Sequence, residues 1–202
     1  MKILVFDTET TWFIDKKDPN LDKQPYIIQF AWIIWKIDWD NFIEEGRINQ
    51  FIKPKISIPF ASSQIHHIYD IDVQNAPFIK DKIDDFINTI NSCDAVIWHN
   101  IEYDEDMIKL ELKRLWKEYM YKPKQIVCTM KQTVDFCAIK WNSERFKYPK
   151  LWELYKKLFW EYFLWAHDAI VDVEATLKIF LELKKRWVIE ISKPKEEVMS
   201  LF

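Results

Sequence analysis

The sequence predicts one α/β domain built on a mixed sheet. Three observations lead there. The chain opens on Ile3-Leu4-Val5-Phe6, an apolar run of buried-strand length. Two further strand-like runs, residues 26–35 and 41–52, meet across Asp38-Trp39-Asp40, a hairpin connection. From residue 77 onward, short apolar strands alternate with amphipathic helices, the pattern of a sheet covered by helices.

Taken in order, strand one ends at Phe6-Asp7-Thr8-Glu9, and residues 11–25 are polar and turn-rich. The hairpin strands follow. Residues 54–71 hold two prolines and His66-His67, and suggest a loop with a short helix. Pro77 sets a helix start, with Ile79, Ile83, Phe86, Ile87 and Ile90 at helical spacing. Ala95-Val96-Ile97 is a short buried strand. Residues 104–121 form a charged amphipathic helix with Met107, Ile108, Leu112 and Leu115 inward. Ile126-Val127-Cys128 is a brief strand, and residues 150–159 and 168–186 are helices. The domain is expected to span 1–191, leaving 192–202 as a tail that starts with Pro194 and a charged run.

Composition narrows the function. With 202 residues, 49% hydrophobic and 30% charged, the chain has the profile of a water-soluble globular domain. A net charge of −3 argues against a large basic groove for duplex DNA, so any nucleic-acid role must use metal ions and a local basic patch. Cys93, Cys128 and Cys137 form no Cys-x-x-Cys pair, which fits reduced thiols in a cytoplasmic protein and offers no zinc site. Strand one starts at once and no apolar run reaches spanning length, so neither a signal peptide nor a membrane partner is expected.

Three acidic elements bear chemistry. Side chains alternate along a strand, so Asp7 and Glu9 point the same way and Thr8 the other. Two carboxylates side by side repel unless a cation sits between them, and Mg²⁺ is commonly held by one or two carboxylates plus phosphate oxygens. The second element, Trp98-His99-Asn100-Ile101-Glu102-Tyr103-Asp104, follows a strand. It puts Asn100 in the turn and Asp104 in the first helical turn, a place where an acid also serves as a cap. The third is Ala166-His167-Asp168-Ala169-Ile170-Val171-Asp172. Asp168 suits the N-cap of the last helix, while Asp172 lies one turn inside, near an apolar face that calls for a partner. His167, on the loop before it, titrates near neutrality and can take a proton from water.

Strand-end Asp-x-Glu, post-strand Asn-x-x-x-Asp and His-x-x-x-x-Asp opening a late helix, in this order, resemble the DEDDh (DnaQ-like) exonuclease superfamily. The resemblance runs from Ile3 to about Glu182 and includes Gln29-Phe30-Ala31-Trp32, Ile65-His66-His67-Ile68, Cys128-Thr129-Met130-Lys131 and Leu151-Trp152-Glu153-Leu154. Within the superfamily the chain is similar to the proofreading (epsilon) type of bacterial DNA polymerase III. The resemblance implies a ribonuclease H-like sheet flanked by helices, with Asp7, Glu9, Asp104 and Asp172 holding two Mg²⁺ or Mn²⁺ ions and His167 as general base. It implies 3′–5′ hydrolysis of single-stranded or frayed DNA ends to 5′-mononucleotides by a two-metal mechanism. Thr10, Thr8, Asn100 and His66 are the expected substrate-side residues, Thr10 toward the terminal 3′-hydroxyl and Asn100 chiefly orienting the Asp104 turn; His66 has an equally simple structural reading. An RNA-trimming member of the superfamily, or a catalytically silent nucleic-acid or polymerase-binding module, is the alternative. The run Arg145-Phe146-Lys147-Tyr148-Pro149-Lys150 suits single-strand contacts or a solvated loop. The terminal Val198-Met199-Ser200-Leu201-Phe202 resembles the peptide by which bacterial replication proteins dock on the sliding clamp, without its usual leading Gln.

One number is abnormal. Glycine usage of roughly 7% predicts about 14 glycines in such a chain, whereas this one has 1 glycine and 11 tryptophans. Trp39 stands where a hairpin favours glycine, and Trp187 where a helix end does. Trp12, Trp98, Trp160 and Trp165 fall in apparent polar turns, and in the superfamily the positions of Trp12, Trp98 and Trp165 are glycine. The expectation is that many of these codons are UGA, read as glycine in the source cell, with Trp32 a true tryptophan.

Overall fold

A computed structural model describes residues 1–38, 41–142, 145–163 and 168–192. Five strands form one mixed sheet: β1 (Lys2–Thr10), β2 (Ile27–Asp38), β3 (Asn41–Phe51), β4 (Ala95–Trp98) and β5 (Ile126–Cys128), in the order β3-β2-β1-β4-β5. The first three pair antiparallel, while β4 and β5 run parallel to β1. Asp38 pairs with Asn41, so the β2–β3 connection is two residues long, as the hairpin reading requires; Trp39 and Asp40 lie outside the described residues. The helices are α1 (Phe60–His66), α2 (Asp70–Val73), α3 (Ile83–Ser92), α4 (Ile101–Arg114), α5 (Thr129–Gln132), α6 (Val134–Cys137), α7 (Leu151–Phe159) and α8 (Ala169–Lys185).

Period-two alternation along β1 splits the core into two layers. Ile3 and Val5, with Ala31, Ile33 and Ile97, face Val173, Leu177 and Phe180 of α8 and Leu154 and Leu158 of α7. Leu4 and Phe6, with Phe30, Trp32 and Val96, face Phe86 and Ile87 of α3 and Met107, Ile108 and Leu112 of α4. Phe6 wedges between Phe86 and Trp98, at ring-centroid distances of 4.7 and 5.4 Å. The parallel β1–β4 pair sends its two C-terminal ends to the same edge. α4 starts from that edge, so residues at the end of β1 and in the first turn of α4 are neighbours.

Three sequence expectations need correction. The helix expected from Pro77 begins at Ile83, after a separate 3-10 turn at Ile79–Asp81. The helix expected over 104–121 is shifted: it begins at Ile101, because Asn100 takes a left-handed backbone (φ 68°), and ends at Arg114, before a second left-handed residue, Trp116 (φ 59°). Trp98 is no turn residue: it closes β4 and is fully buried. The short helices α5 and α6 carry no periodicity long enough to announce them.

Candidate active site

Each acidic motif arrives on its own element at the C-terminal edge of β1. Asp7 and Glu9, both half-buried, project from β1 toward the α8 side of the sheet, and Asp172 comes to meet them one turn into α8. One carboxylate oxygen from each of these three lies within 4.8 Å of the others. Asp104 approaches from the opposite layer and is almost completely buried. It is fixed by β1 itself: its Oδ1 accepts from the Thr8 backbone N–H at 3.1 Å and from the Thr8 hydroxyl. Thr8 therefore spends its polar groups on Asp104, whereas the expectation gave it a substrate role.

The electrostatics are those of a site missing positive charge. Burial, then the charges of Asp104, Asp172, Glu9 and Asp168, push the Asp7 carboxyl well up. Burial, Asp172, Asp104 and Asp168 do the same for Glu9. No cation among the described residues offsets either group. Burial also drives Asp104 up, to about 7, even though the Thr8 hydrogen bonds pull the other way. An all-carboxylate oxygen set of this kind suits a hard divalent cation, whose charge would favour the ionised forms.

Sequence reasoning missed two residues that position this cluster, Gln29 and Tyr103, and the second role of Asp168. Gln29, buried and paired in register with Glu9, donates through Nε2 to Asn49 Oδ1 (2.8 Å) and Asp168 Oδ1 (3.1 Å), and accepts from Ala169 N–H (3.3 Å). It thereby fastens the start of α8 to β2, and a polar residue inside the apolar run 26–35 was the available signal. Asp168 caps α8 as expected, accepting from Ile170 N–H at 3.3 Å, and adds a fifth negative charge beside the cluster. Tyr103, next to Asp104, hydrogen-bonds to the Thr10 hydroxyl and donates to the Trp12 carbonyl at 2.7 Å. The β1–β2 register shifts between Glu9 and Thr10: Glu9 pairs with Gln29 and Thr10 with Ile27, so β2 carries the extra residue, Ile28.

Beside Glu9 lies a cavity of about 160 Å³ bordered by Thr8, Thr10, Trp12, Ile65, His66 and Tyr103. His66 is buried, and its Nδ1 accepts from Ile68 N–H at 3.1 Å, so one ring nitrogen is structural while the ring still borders the cavity. Asn100 is exposed, and its left-handed backbone starts α4 without a side-chain cap. His99 is a staple: burial pushes its pKa down to about 4, its Nε2–H donates to the Pro149 carbonyl at 3.0 Å, and its Nδ1 faces the Thr129 hydroxyl at 2.9 Å. In the Arg145–Lys150 run, Phe146 and Tyr148 are exposed, while Lys147 pairs with Glu153. His167 lies outside the described residues, as do Trp165 and residues 193–202.

A ribonuclease H-like mixed sheet presenting Asp-x-Glu, Asp and Asp at one strand edge defines the exonuclease class of nucleases. Residues 4–180 match the RNase T exonuclease family model, and the chain belongs to that family, whose members use divalent metal ions. Among solved structures, the nuclease domain of 3′hExo, described as a DEDDh family member bound to rAMP, superposes with a TM-score of 0.71 at 14% identity, covering 95% of this chain and 96% of that one. E. coli exonuclease I gives 0.67 at 19% identity as a zinc-bound ssDNA complex and 0.70 at 17% with a dT13 oligonucleotide. This chain spans about 40% of the length of exonuclease I. No curated protein matches the sequence.

Proposed function

We propose that the chain is a 3′–5′ exonuclease that removes 5′-mononucleotides from single-stranded or frayed DNA, with Mg²⁺ or Mn²⁺ held by Asp7, Glu9, Asp104 and Asp172. One observation carries the reading: the carboxylates of Asp7, Glu9 and Asp172 converge to within 4.8 Å, with Asp104 fixed nearby on Thr8, beside a small cavity. The bound ions would supply Lewis-acid stabilisation of charge on the reacting phosphate. The remaining work falls to side chains. Asp7, Glu9 and Asp172 bind and orient, and Asp104 is held ready by Thr8. The cavity walls, with Thr10, His66 and Tyr103, position the terminal nucleotide. Asn100 sits at the mouth of the α4 turn as a second contact. His167 takes the proton from the attacking water, a role that rests on its place in the His-x-x-x-x-Asp motif.

Support for a DNA substrate comes from exonuclease I, whose structures hold ssDNA and oligonucleotides. The 3′hExo structure holds a ribonucleotide, which favours the RNA-trimming reading as the second one. A replication role, with a polymerase partner and a sliding clamp bound through Val198-Met199-Ser200-Leu201-Phe202, rests on the sequence resemblance alone. A cytoplasmic setting is part of the same proposal; no helix among the described residues is long and apolar enough to cross a membrane. The test is release of labelled nucleotides from matched 3′-labelled single-stranded DNA and RNA, with and without Mn²⁺. DNA should be degraded faster than RNA. Release that persists in Asp7→Ala would contradict the assigned site, and RNA preference would transfer the reading to the second substrate. For the tail, clamp binding undiminished in Leu201→Ala/Phe202→Ala would remove that partner.

A further inference from the structure

Six described residues have a left-handed backbone: His67, Asn100, Trp116, Ala138, Trp160 and Trp187. Half of them are tryptophan, although a bulky L-residue in this region is a genuine outlier and glycine is the default. The single glycine of the chain, Gly46, is not among them and lies inside β3.

The three tryptophans share one structural position. After α4, the Trp116 N–H donates to the Lys113 carbonyl (3.2 Å) and the Lys117 N–H to the Leu112 carbonyl (2.9 Å). After α8, the Trp187 N–H donates to Lys184 (3.1 Å) and the Val188 N–H to Leu183 (2.9 Å). Both are Schellman motifs, in which the left-handed residue just past the helix is usually glycine. After α7, the Trp160 N–H donates back to Lys156 (2.9 Å), the simpler left-handed ending with the same preference. The φ values are 59°, 60° and 60°. No packing explains the rings: they are 86%, 89% and 82% exposed, above every other large apolar side chain described. By contrast, Trp32 is buried in extended β2, and its ring reaches 3.8 Å from where a Cβ on Gly46 would stand.

We propose that positions 116, 160 and 187 are glycine in the protein its source cell makes, their codons being UGA, rendered as tryptophan in this sequence. Trp116 joins the set on backbone geometry alone. Trp32 and Trp35, both inside β2, remain tryptophan under this reading. The proposal does not depend on the activity, but two of the three positions end the helices that carry Asp104 and Asp172. Glycine there removes the Cβ clash that the left-handed turn imposes and clears three exposed indoles from the surface.

The decisive measurement is the gene together with the native protein. UGA codons at 116, 160 and 187, UGG at 32 and 35, and glycine in the corresponding peptides from source cells are expected. UGG at any of the three, or tryptophan in its native peptide, overturns the assignment at that position. Thermal melting supplies an independent check on the recombinant chain. Each of Trp116→Gly, Trp160→Gly and Trp187→Gly should raise Tm by roughly 2–4 °C. Trp→Ala at the same positions should recover much less, because alanine keeps the Cβ. Equal gains from alanine and glycine would overturn the backbone argument, and Trp32→Gly should lower Tm.

Discussion

The two faces of β1 solve opposite problems within three residues. Asp7 and Glu9 face Asp172 across a gap crowded with like charge, and both carboxyls are held well above their ordinary range. On the other face, the Thr8 and Thr10 hydroxyls are hydrogen-bonded to Asp104 and Tyr103, so these threonines are satisfied by the protein alone. Strand alternation lets one segment do both. The electrostatically costly face is where a metal and a phosphate can be bound, and the satisfied face is what keeps it in place.

On that division, losing a carboxylate from the crowded face should cut activity sharply while relieving the fold. Asp7→Ala should reduce nucleotide release on the order of 10²–10³-fold, the size seen when one group stabilising transition-state charge is lost. Asp7→Asn should melt higher than the parent in chelator, where repulsion is unrelieved. A lower melting point in chelator would show that Asp7 has a stabilising partner.

Gln29→Ala attacks the support of the crowded face from behind. It orphans the buried Ala169 N–H, which costs about 1–3 kcal/mol without a partner, and removes one of the two donors to Asp168 Oδ1. Expected are a Tm lower by roughly 4–8 °C and an activity loss that high Mn²⁺ partly restores. Activity that falls without any change in metal dependence would deny Gln29 a positioning role.

The pH dependence separates the two states of the cluster. Asp7, Glu9 and Asp104 have raised pKa values in the folded chain, Asp104 about 7. Between the ordinary carboxyl range near pH 4 and those raised values, the metal-free native state binds more protons than the unfolded chain. Stability in chelator should therefore fall as pH rises from about 4 toward 7. Saturating Mn²⁺ binds the ionised forms and should flatten or reverse that slope. Melting curves across this range, with and without Mn²⁺, test it, and a metal-free stability that rises with pH would refute the assignment.

Two smaller effects probe the satisfied face and its edge. Thr8→Val keeps the backbone donor to Asp104 but loses the hydroxyl, which should cost about 1 kcal/mol, or roughly 2–4 °C. Because the lost bond favours the ionised form of Asp104, the acidic limb of the activity profile should move to higher pH. Trp12, on the cavity wall, is 48% exposed. Trp12→Gly opens that wall and should raise kcat/KM modestly, mainly through KM, without the gain in Tm expected at 116, 160 and 187.

Much of this molecule was legible in residue order. Period-two alternation placed Asp7 with Glu9, the strand-then-turn setting placed Asp104 in a first helical turn, and the Asp168 cap left Asp172 one turn inside α8. Each of these is a local rule about where consecutive side chains point. Glycine scarcity was also a local signal, and it located Trp187 at a helix end and Trp160 in a turn. The limits of locality show at Trp98, which turn-like neighbours disguised as a turn residue although it fills the core between Phe6 and α4.

Tertiary structure alone decided which groups hold the site together. Nothing near Gln29 in sequence reveals that it will meet Asp168, and nothing near Thr8 reveals that it will clasp Asp104; these pairs are separated by 139 and 96 residues. The left-handed backbone at Trp116 likewise emerged only where α4 had to stop and turn. Sequence periodicity states which face a side chain takes. Only chain closure, bringing the ends of β1, β4 and α8 to one edge, states what that face will find there.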